Sequence, residues 1–279
     1  MRVALVQMTA IRNDKTANLD KMESFIEKAS EDNASIVCFP EVSISGYSKQ
    51  DPQQVAEAID GPSVQRLSLL AEKFNISILA GLIEKYQNQF YITHVVIKPS
   101  AEVDAYRKNH LGAREKKTFT QGTSLPVFQN NKSGVKTKFG LGICYDLHYP
   151  ELVTSLAVQG ARIVFAPHAV PIGGTRRLSI WDKFMPARAY DNGVYLLACN
   201  LVGHDGKKHF GGGMGVWNPK GECIFKCSEE KEIIMILDLD MDVFNRKQNE
   251  DKTIGFLKDR HVKMYLGSEG FVVGSEKTG

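Results

Sequence analysis

The order of apolar segments along the chain constrains its fold more than any other feature. Short apolar runs, each typical of a buried strand, alternate with longer stretches in which apolar residues recur at helical spacing. A strand at about 2–8 is followed by a predicted helix at about 14–31, where Leu19, Met22 and Ile26 share one face. This alternation predicts an α/β fold.

The same alternation continues through the second half of the chain. We predict helices at about 62–74, near Pro150 and at about 177–192, and strands at about 35–39, 76–84, 90–98, 103–107, 135–143, 161–166, 194–200, 213–217, 222–227 and 232–238. No internal repeat or low-complexity linker interrupts the pattern, so we predict one domain over residues 1–279. The apolar tail from about residue 254 is a candidate for packing on a partner subunit.

The distribution of charge argues against a nucleic-acid partner. The formal net charge of +3 is spread along the chain, with no basic stripe interleaved with aromatic residues. No stretch approaches the roughly 18 apolar residues that a membrane span needs, and the first residues read as a strand without the pattern of a signal peptide. We therefore expect a cytoplasmic protein with no nucleic-acid and no membrane partner.

The cysteines and histidines do not form a metal-binding pattern. The five cysteines are odd in number and lie mostly in apolar strand-like runs, which is unsuited to a disulfide framework. Cys223 and Cys227 have the spacing of a metal pair, but no second Cys/His pair follows them. The glycine-rich run at 209–215 leads into a strand rather than a helix, which favours a tight turn over a phosphate loop. We predict no metal and no cofactor.

Three polar residues directly follow predicted strands: Glu41, Lys108 and Cys144. Strand ends in α/β sheets meet at one edge, where ligands bind, so residues distant in sequence can converge there. Taken singly, they are typical of a loop acid, a surface lysine and a core cysteine. Their sequence contexts distinguish them from those ordinary roles.

Those contexts resemble the signature motifs of the nitrilase superfamily of carbon–nitrogen hydrolases, in the family's order and spacing. The matching segments are Phe39-Pro40-Glu41 with Ser45-Gly46-Tyr47, Tyr106-Arg107-Lys108-Asn109-His110-Leu111, and Gly142-Ile143-Cys144-Tyr145-Asp146 with Tyr149-Pro150-Glu151. The resemblance implies a four-layer α-β-β-α sandwich of two packed sheets with outer helices. It also implies a catalytic triad of Glu41, Lys108 and Cys144, with Glu115 as an additional acid.

The implied triad fits the chemistry of C–N bond cleavage. A cysteine thiol is only slightly ionised at neutral pH and needs a base within hydrogen-bond reach, a role suited to Glu41. Lys108 and the backbone N–H of Tyr145 would stabilise the oxyanion formed by attack on a carbonyl. Glu115 would hold Lys108 or position the substrate nitrogen.

Further residues are expected to line the substrate pocket. These are Tyr47, Tyr145, Asp146, His148, His168, Arg176, Arg177 and Trp181. Arg176 or Arg177 is either a carboxylate clamp, as in N-carbamoyl amino acid hydrolysis, or a surface charge.

Several functional alternatives remain open at this point. Tyr145 stands where true nitrilases often have tryptophan, which favours a small amide or N-carbamoyl substrate over a nitrile. Acyl transfer would use the same thioester, and a non-catalytic scaffold would share the same fold. A Cys-His peptidase would instead depend on His148. The family resemblance also implies a homodimer or a higher homo-oligomer.

Overall fold

Apolar strands and amphipathic helices alternate along the chain, as its hydrophobic pattern predicts. The computed structural model describes residues 1–48, 51–131 and 136–244. Its strands are β1 Arg2–Gln7, β2 Ile36–Cys38, β3 Ser77–Tyr86, β4 Gln89–Ile97, β5 Val103–Arg107, β6 Phe128–Asn130, β7 Thr137–Leu141, β8 Ile163–His168, β9 Tyr195–Asn200, β10 Val202–His204, β11 His209–Gly211, β12 Met214–Trp217, β13 Cys223–Cys227 and β14 Ile233–Asp238. The helices are α1 Lys15–Glu31, α2 Pro62–Lys73, α3 Pro150–Val158, α4 Gly174–Trp181 and α5 Met185–Asn192.

The helices begin where the sequence supplies capping residues. The side chain of Asp14 accepts a hydrogen bond of 3.0 Å from the backbone N–H of Ala17 at the start of α1. Helices α2, α3 and α5 each carry a proline in their first turn, namely Pro62, Pro150 and Pro186. Proline is tolerated there because its missing N–H would have no partner within the helix.

Twelve of these strands form two six-stranded sheets. Their orders are β14-β1-β2-β3-β4-β5 and β13-β12-β9-β8-β7-β6, while β10 and β11 pair as a separate hairpin. In each sheet the central strands run parallel, β1-β2-β3 in the first and β7-β8-β9 in the second. The polar residues that follow β2 and β7 therefore lie at the carboxyl ends of central parallel strands.

Alternate residues of these strands belong to different layers of the core. Leu5 of β1 and Phe165 of β8 pack together in the cluster between the two sheets. Their neighbours face outward: Val6 packs among residues of α1 and α2, and Val164 among residues of α3 to α5. The architecture is the predicted α-β-β-α sandwich, because each sheet buries one face on the other sheet and one on helices.

The structure corrects one predicted element and adds others. The predicted helix at about 177–192 is two helices, α4 and α5, because Pro186 lacks the N–H that a continuous helix would need. Strands β6, β10 and β11 were not predicted, since three residues are too few to show a period. The tail from about residue 254 lies outside the described residues. Among the helices described, none is long and apolar enough to cross a membrane.

Candidate active site

Two carboxylates hold a buried ammonium group at the carboxyl ends of the first sheet's strands. Glu41 follows β2, Lys108 follows β5, and Glu115 lies in the next loop. Lys108 Nζ donates to Glu41 Oε1 at 2.8 Å and to Glu115 Oε1 at 2.9 Å. Lys108 and Glu41 are each 1 % exposed, so this charged cluster is almost completely removed from water.

Two further contacts orient Glu115. Its Oε1 also accepts a hydrogen bond from the hydroxyl of Tyr47, and its Oε2 accepts one from the backbone N–H of Gly112 at 2.7 Å. These bonds leave the carboxylate little freedom to rotate. Glu115 is thereby held in contact with Lys108, the position expected of the additional acid.

A close backbone approach places Glu41 beside the sheet. Gly81 of β3 packs so tightly against the residues after Glu41 that a Cβ at this position would lie 2.3 Å from the backbone nitrogen of Val42. Any larger residue at 81 would push the loop carrying Glu41 away from Lys108.

Cys144 reaches the same region from the second sheet. It follows β7 and begins a short 3-10 helix, Cys144–His148, with a backbone φ of +51°. A non-glycine residue in this left-handed region costs about 1–2 kcal/mol, and such strain is typical of functional sites. The residue as a whole is half-buried.

The carboxylate of Asp146 stabilises this turn through hydrogen bonds. Its Oδ2 accepts from the backbone N–H of Ile143 at 2.9 Å and from the hydroxyl of Tyr106 at 2.8 Å. Its Oδ1 accepts from the backbone N–H of His110 at 2.8 Å. Asp146 is fully buried, and these hydrogen bonds connect the cysteine turn to the loop after Lys108. Its expected contact with the substrate stays a prediction.

Replacing Asp146 by alanine should therefore loosen both segments at once. We expect the free energy of unfolding to fall by about 3 kcal/mol, since buried donors at Ile143, Tyr106 and His110 would lose a charged acceptor. Denaturant unfolding of D146A measures the loss, with exposed Asp191→Ala as the control. Equal unfolding midpoints for the two variants would contradict this role of Asp146.

The electric charges in the cluster affect one another strongly. Burial raises the pKa of the Cys144 thiol, and the negative charge of Glu41 adds to this effect, giving a pKa of about 12. Burial lowers the pKa of Lys108, but the negative charges around it outweigh that effect and raise it overall. Burial raises the pKa of Glu115, yet Lys108 and the hydroxyl of Tyr47 lower it below its usual value. The resting site thus holds a neutral thiol beside an ammonium ion and a carboxylate.

A pH titration can test this electrostatic arrangement. Because the charge of Glu41 raises the pKa of Cys144, Glu41→Gln should move the alkaline midpoint of Cys144 alkylation by iodoacetamide to lower pH. Amide hydrolysis should fall in the same variant, since the base is lost. Peptide mapping would follow alkylation at this cysteine across the pH range. An unchanged or higher midpoint would show that Glu41 does not act on the thiol.

The comparisons with known proteins agree with this geometry. Residues 2–246 match the family model described as carbon–nitrogen hydrolase. The chain belongs to the carbon–nitrogen hydrolase family. A probable nitrilase from Schizosaccharomyces pombe is 33 % identical over 272 residues, covering 94 % of this chain and 96 % of the relative. An omega-amidase from Homo sapiens is 32 % identical over 252 residues, covering 86 % and 88 %.

Solved structures of amidases share the fold of this carbon–nitrogen hydrolase. The NitN amidase from Nesterenkonia sp. AN1 is 29 % identical, with a TM-score of 0.80 over 95 % of this chain and 98 % of the amidase chain. A variant of that amidase, with a TM-score of 0.81, 29 % identity and the same 95 % and 98 % coverage, shows Michael addition of acrylamide at its active-site cysteine. These findings confirm the family predicted from the motifs and its four-layer fold. They also establish this chain as a carbon–nitrogen hydrolase.

Two of the expected pocket residues form a buried pair in this hydrolase. Trp181 Nε1 lies 3.2 Å from His168 Nε2, and His168 Nδ1 lies 2.8 Å from the carbonyl oxygen of Ala166. This arrangement suits a neutral imidazole with its proton on Nδ1, and burial lowers the pKa of His168 well below its usual value. His168 and Trp181 are 2 % and 0 % exposed, so both side chains are shielded from solvent.

The other residues that were expected to line the pocket differ in their exposure to solvent. Tyr145, His148 and Arg176 are exposed, whereas Arg177 is 4 % exposed and lies over the ring of Trp181. The ring of His148 packs on Phe184, with the ring centres 4.7 Å apart. This position offers no support for a Cys-His dyad.

Some residues that shape the site were not singled out from the sequence. Tyr106 and His110 lie within a signature segment, but only the fold shows that they bind Asp146. Within the described ranges, no group of three or more His, Cys, Asp or Glu residues is arranged to hold a metal ion.

Proposed function

We propose that this chain hydrolyses a small non-peptide amide or N-carbamoyl compound through a thioester on Cys144. The observation that carries the proposal is the buried Glu41–Lys108–Glu115 cluster, whose charges act directly on the thiol of Cys144. This set supplies a nucleophile, a base and a fixed positive charge, which are the groups that acyl transfer from nitrogen to sulfur needs.

The first half of the reaction transfers the acyl group to sulfur. Glu41 accepts the thiol proton as Cys144 Sγ attacks the carbonyl carbon, because the raised thiol pKa keeps the free sulfur protonated. Lys108 and the backbone N–H of Tyr145 stabilise the resulting oxyanion. The C–N bond then breaks, the leaving nitrogen takes the proton from Glu41, and ammonia or an amine departs.

The second half releases the acid. Glu41 accepts a proton from water, the hydroxide oxygen attacks the thioester carbon, and the C–S bond breaks with return of the proton to sulfur. Lys108 keeps its charge throughout, because its raised pKa opposes proton loss. Glu115 acts by holding the ammonium group in place. An amine in place of water would give acyl transfer by the same route.

The environment of Arg177 favours a substrate that carries a carboxylate. Its guanidinium group is nearly completely buried, its Nε has no hydrogen-bond partner, and it forms no ion pair with any residue that the structure describes. A buried charge without a counter-ion is unfavourable, so an anionic ligand would stabilise it. Arg177 also lies near enough to Cys144 for each to shift the other's pKa. The exposed Arg176 offers no comparable site.

A nitrile is the second candidate substrate. Relatives with names such as probable nitrilase and nitrilase match 94–95 % of this chain. Other relatives are named omega-amidases or an (R)-stereoselective amidase, and the solved structures above are amidases. The position of Tyr145 next to the nucleophile further favours amides.

Ammonia and amine release should be measured across aliphatic amides, ω-amides, N-carbamoyl amino acids, N-carbamoyl amines and nitriles. We expect turnover in at least one of the first four groups and slower turnover of nitriles. Arg177→Met should lower kcat/KM for carboxylate-bearing substrates about tenfold or more, because that variant keeps the side-chain volume and removes the charge. Nitrile turnover that exceeds amide turnover would overturn the assignment.

We also propose that the chain forms a homo-oligomer through exposed apolar side chains around α3 and α5. Tyr145, Tyr149, Val158 and Tyr190 are all 36 % or more exposed in this region. Size-exclusion chromatography with light scattering should give a molar mass at least twice that of one chain. The substitution Tyr190→Glu should lower this measured mass. A monomer at micromolar concentration would contradict the proposal.

A further inference from the structure

The glycine-rich run at 209–215, predicted from the sequence to be a tight turn, packs directly against the segment that begins α4. The backbone N–H of Gly211 donates to the carbonyl oxygen of Ile172 at 3.0 Å. A Cβ on Gly211 would lie 2.3 Å from the Cα of Gly173, so only glycine allows the two segments to approach this closely. The glycine run therefore fixes where the first residues of α4 lie.

A buried side-chain amide joins the same two segments. Asn200, the last residue of β9, is fully buried. Its Oδ1 accepts from the backbone N–H of Val170 at 2.8 Å, and its Nδ2 donates to the carbonyl oxygens of Val170 at 3.1 Å and Gly212 at 2.8 Å. One side chain thus binds both polar backbone groups of Val170 and one of the glycine run. Losing it would leave buried backbone groups without partners, which is unfavourable.

A second buried amide holds the glycine run from the other sheet. Gln7 Oε1 accepts from the backbone N–H of Gly213 at 2.5 Å. Gln7 Nε2 donates to the carbonyl oxygens of Glu229 and Lys231 at 2.7 Å each. Because Gln7 belongs to β1 and Asn200 to β9, the glycine run is attached to both sheets.

Arg177 of α4 lies against this attached run. A Cβ on Gly213 would lie 3.1 Å from Arg177 Cγ, and the backbone N–H of Arg177 donates to the carbonyl oxygen of Gly173 at 2.9 Å. Burial raises the pKa of the Cys144 thiol and lowers the pKa of Arg177, and the charge of each group opposes the shift of the other. The glycine run therefore contacts the side chain whose charge acts on the reacting sulfur.

We propose that Asn200 and the glycine run are positioning elements that hold Arg177 where it binds the carboxylate of a substrate whose carbonyl carbon lies at Cys144. This role rests on the hydrolase function proposed above and deepens it, because it fixes the site of the anion relative to the nucleophile. A guanidinium group pairs with a carboxylate through two hydrogen bonds only when its plane is correctly oriented. Displacement of α4 should therefore affect anionic substrates selectively.

Substrate selectivity tests this positioning role. Malonamate, succinamate and glutaramate are each compared with the neutral amide of the same chain length. For the pair that the unaltered protein discriminates best, the ratio of kcat/KM values should fall at least about tenfold in Asn200→Leu, which removes three hydrogen bonds without adding charge. Gly213→Ala should lower the ratio similarly, because its methyl group would meet Arg177 Cγ. Ratios within about twofold of the original in both variants would overturn the proposal.

The variant Arg177→Met separates this proposal from the substrate assignment. If the ratio falls in R177M but not in N200L or G213A, the positioning role alone is overturned. If R177M leaves the ratio unchanged, the substrate's carboxylate is not bound by Arg177, and both proposals about the anion fail.

Asn18 provides a matched control, because it is also fully buried and makes the same set of hydrogen bonds in another loop. Its Oδ1 accepts from the backbone N–H of Ile11 at 2.7 Å, and its Nδ2 donates to the carbonyl oxygens of Ile11 at 2.8 Å and Ile44 at 3.0 Å. Asn18→Leu should destabilise the fold comparably and leave the ratio unchanged. An equal fall of the ratio in N18L would overturn the proposal, since selectivity would then follow general stability.

Hydrogen–deuterium exchange gives a readout that needs no turnover. Backbone amides at 170–177 should exchange at least about tenfold faster in N200L and G213A than in the unaltered protein, whereas N18L should leave them unchanged. Unchanged exchange of this segment in N200L and G213A would overturn the proposal. If the unaltered protein hydrolyses no amide, the hydrolase function fails, while the exchange rates still decide whether Asn200 and the glycine run hold the segment that begins α4.

Discussion

Replacing Cys144 by alanine should lower kcat/KM for the best amide substrate by at least about 10⁴-fold, because removal of a covalent nucleophile leaves only binding and oxyanion stabilisation. The free energy of unfolding should change little, since the residue is half-buried and alanine removes only its sulfur atom. Steady-state ammonia release measures the first effect and thermal unfolding the second.

The other cysteines provide the control. Exposed Cys223 lies on β13 in the sheet that carries Cys144, and its replacement by serine should leave turnover within about twofold of the unaltered protein. Retention of more than one hundredth of the activity in C144A would exclude a thioester mechanism. Equal losses in the two variants would point to a general effect on folding.

Replacing Lys108 by methionine should cause the largest combined loss of activity and stability. It would leave the buried carboxylates of Glu41 and Glu115 without their shared counter-ion, which should lower the free energy of unfolding by about 3–5 kcal/mol. Loss of the oxyanion donor should also lower kcat by about 10²–10³-fold. Denaturant unfolding and initial rates measure the two effects.

The loss of stability in K108M should depend on pH. In the unaltered protein, Lys108 helps to keep the pKa of Glu115 below its usual value, so Glu115 contributes stability that is lost as pH falls through its folded pKa. Without Lys108, repulsion between the two carboxylates should raise their pKa values, and K108M should be relatively less destabilised at acidic pH. Lys116→Met is the exposed control. A pH-independent difference between K108M and the unaltered protein would contradict this electrostatic account.

The sequence predicted most of the layered core because hydrophobic periodicity records which face of an element is buried. Strand β5 begins and ends where the pattern placed it, at Val103 and Arg107, and α1 begins within a residue of its predicted start. The pairing of two sheets came from the family resemblance, since periodicity does not show which elements meet. The division between α4 and α5 was missed because the apolar pattern continued across it.

The roles of the polar residues in the site were harder to predict from the sequence. Glu41, Lys108 and Glu115 meet as their motifs implied, whereas Asp146 proved to be a buried anchor of the cysteine turn. Nothing local in a sequence distinguishes an aspartate that faces a ligand from one that accepts several backbone and side-chain donors. Trp181 is likewise fully buried beside His168, and its burial depends on how α4 packs.

The central claim is that Cys144 carries the acyl group, and rapid-quench mass spectrometry during turnover tests it most directly. The account predicts an acyl adduct on the peptide containing Cys144, removable by hydroxylamine and absent in C144A. Turnover of the amide with no adduct at Cys144, or with the acyl group on another residue, would contradict it.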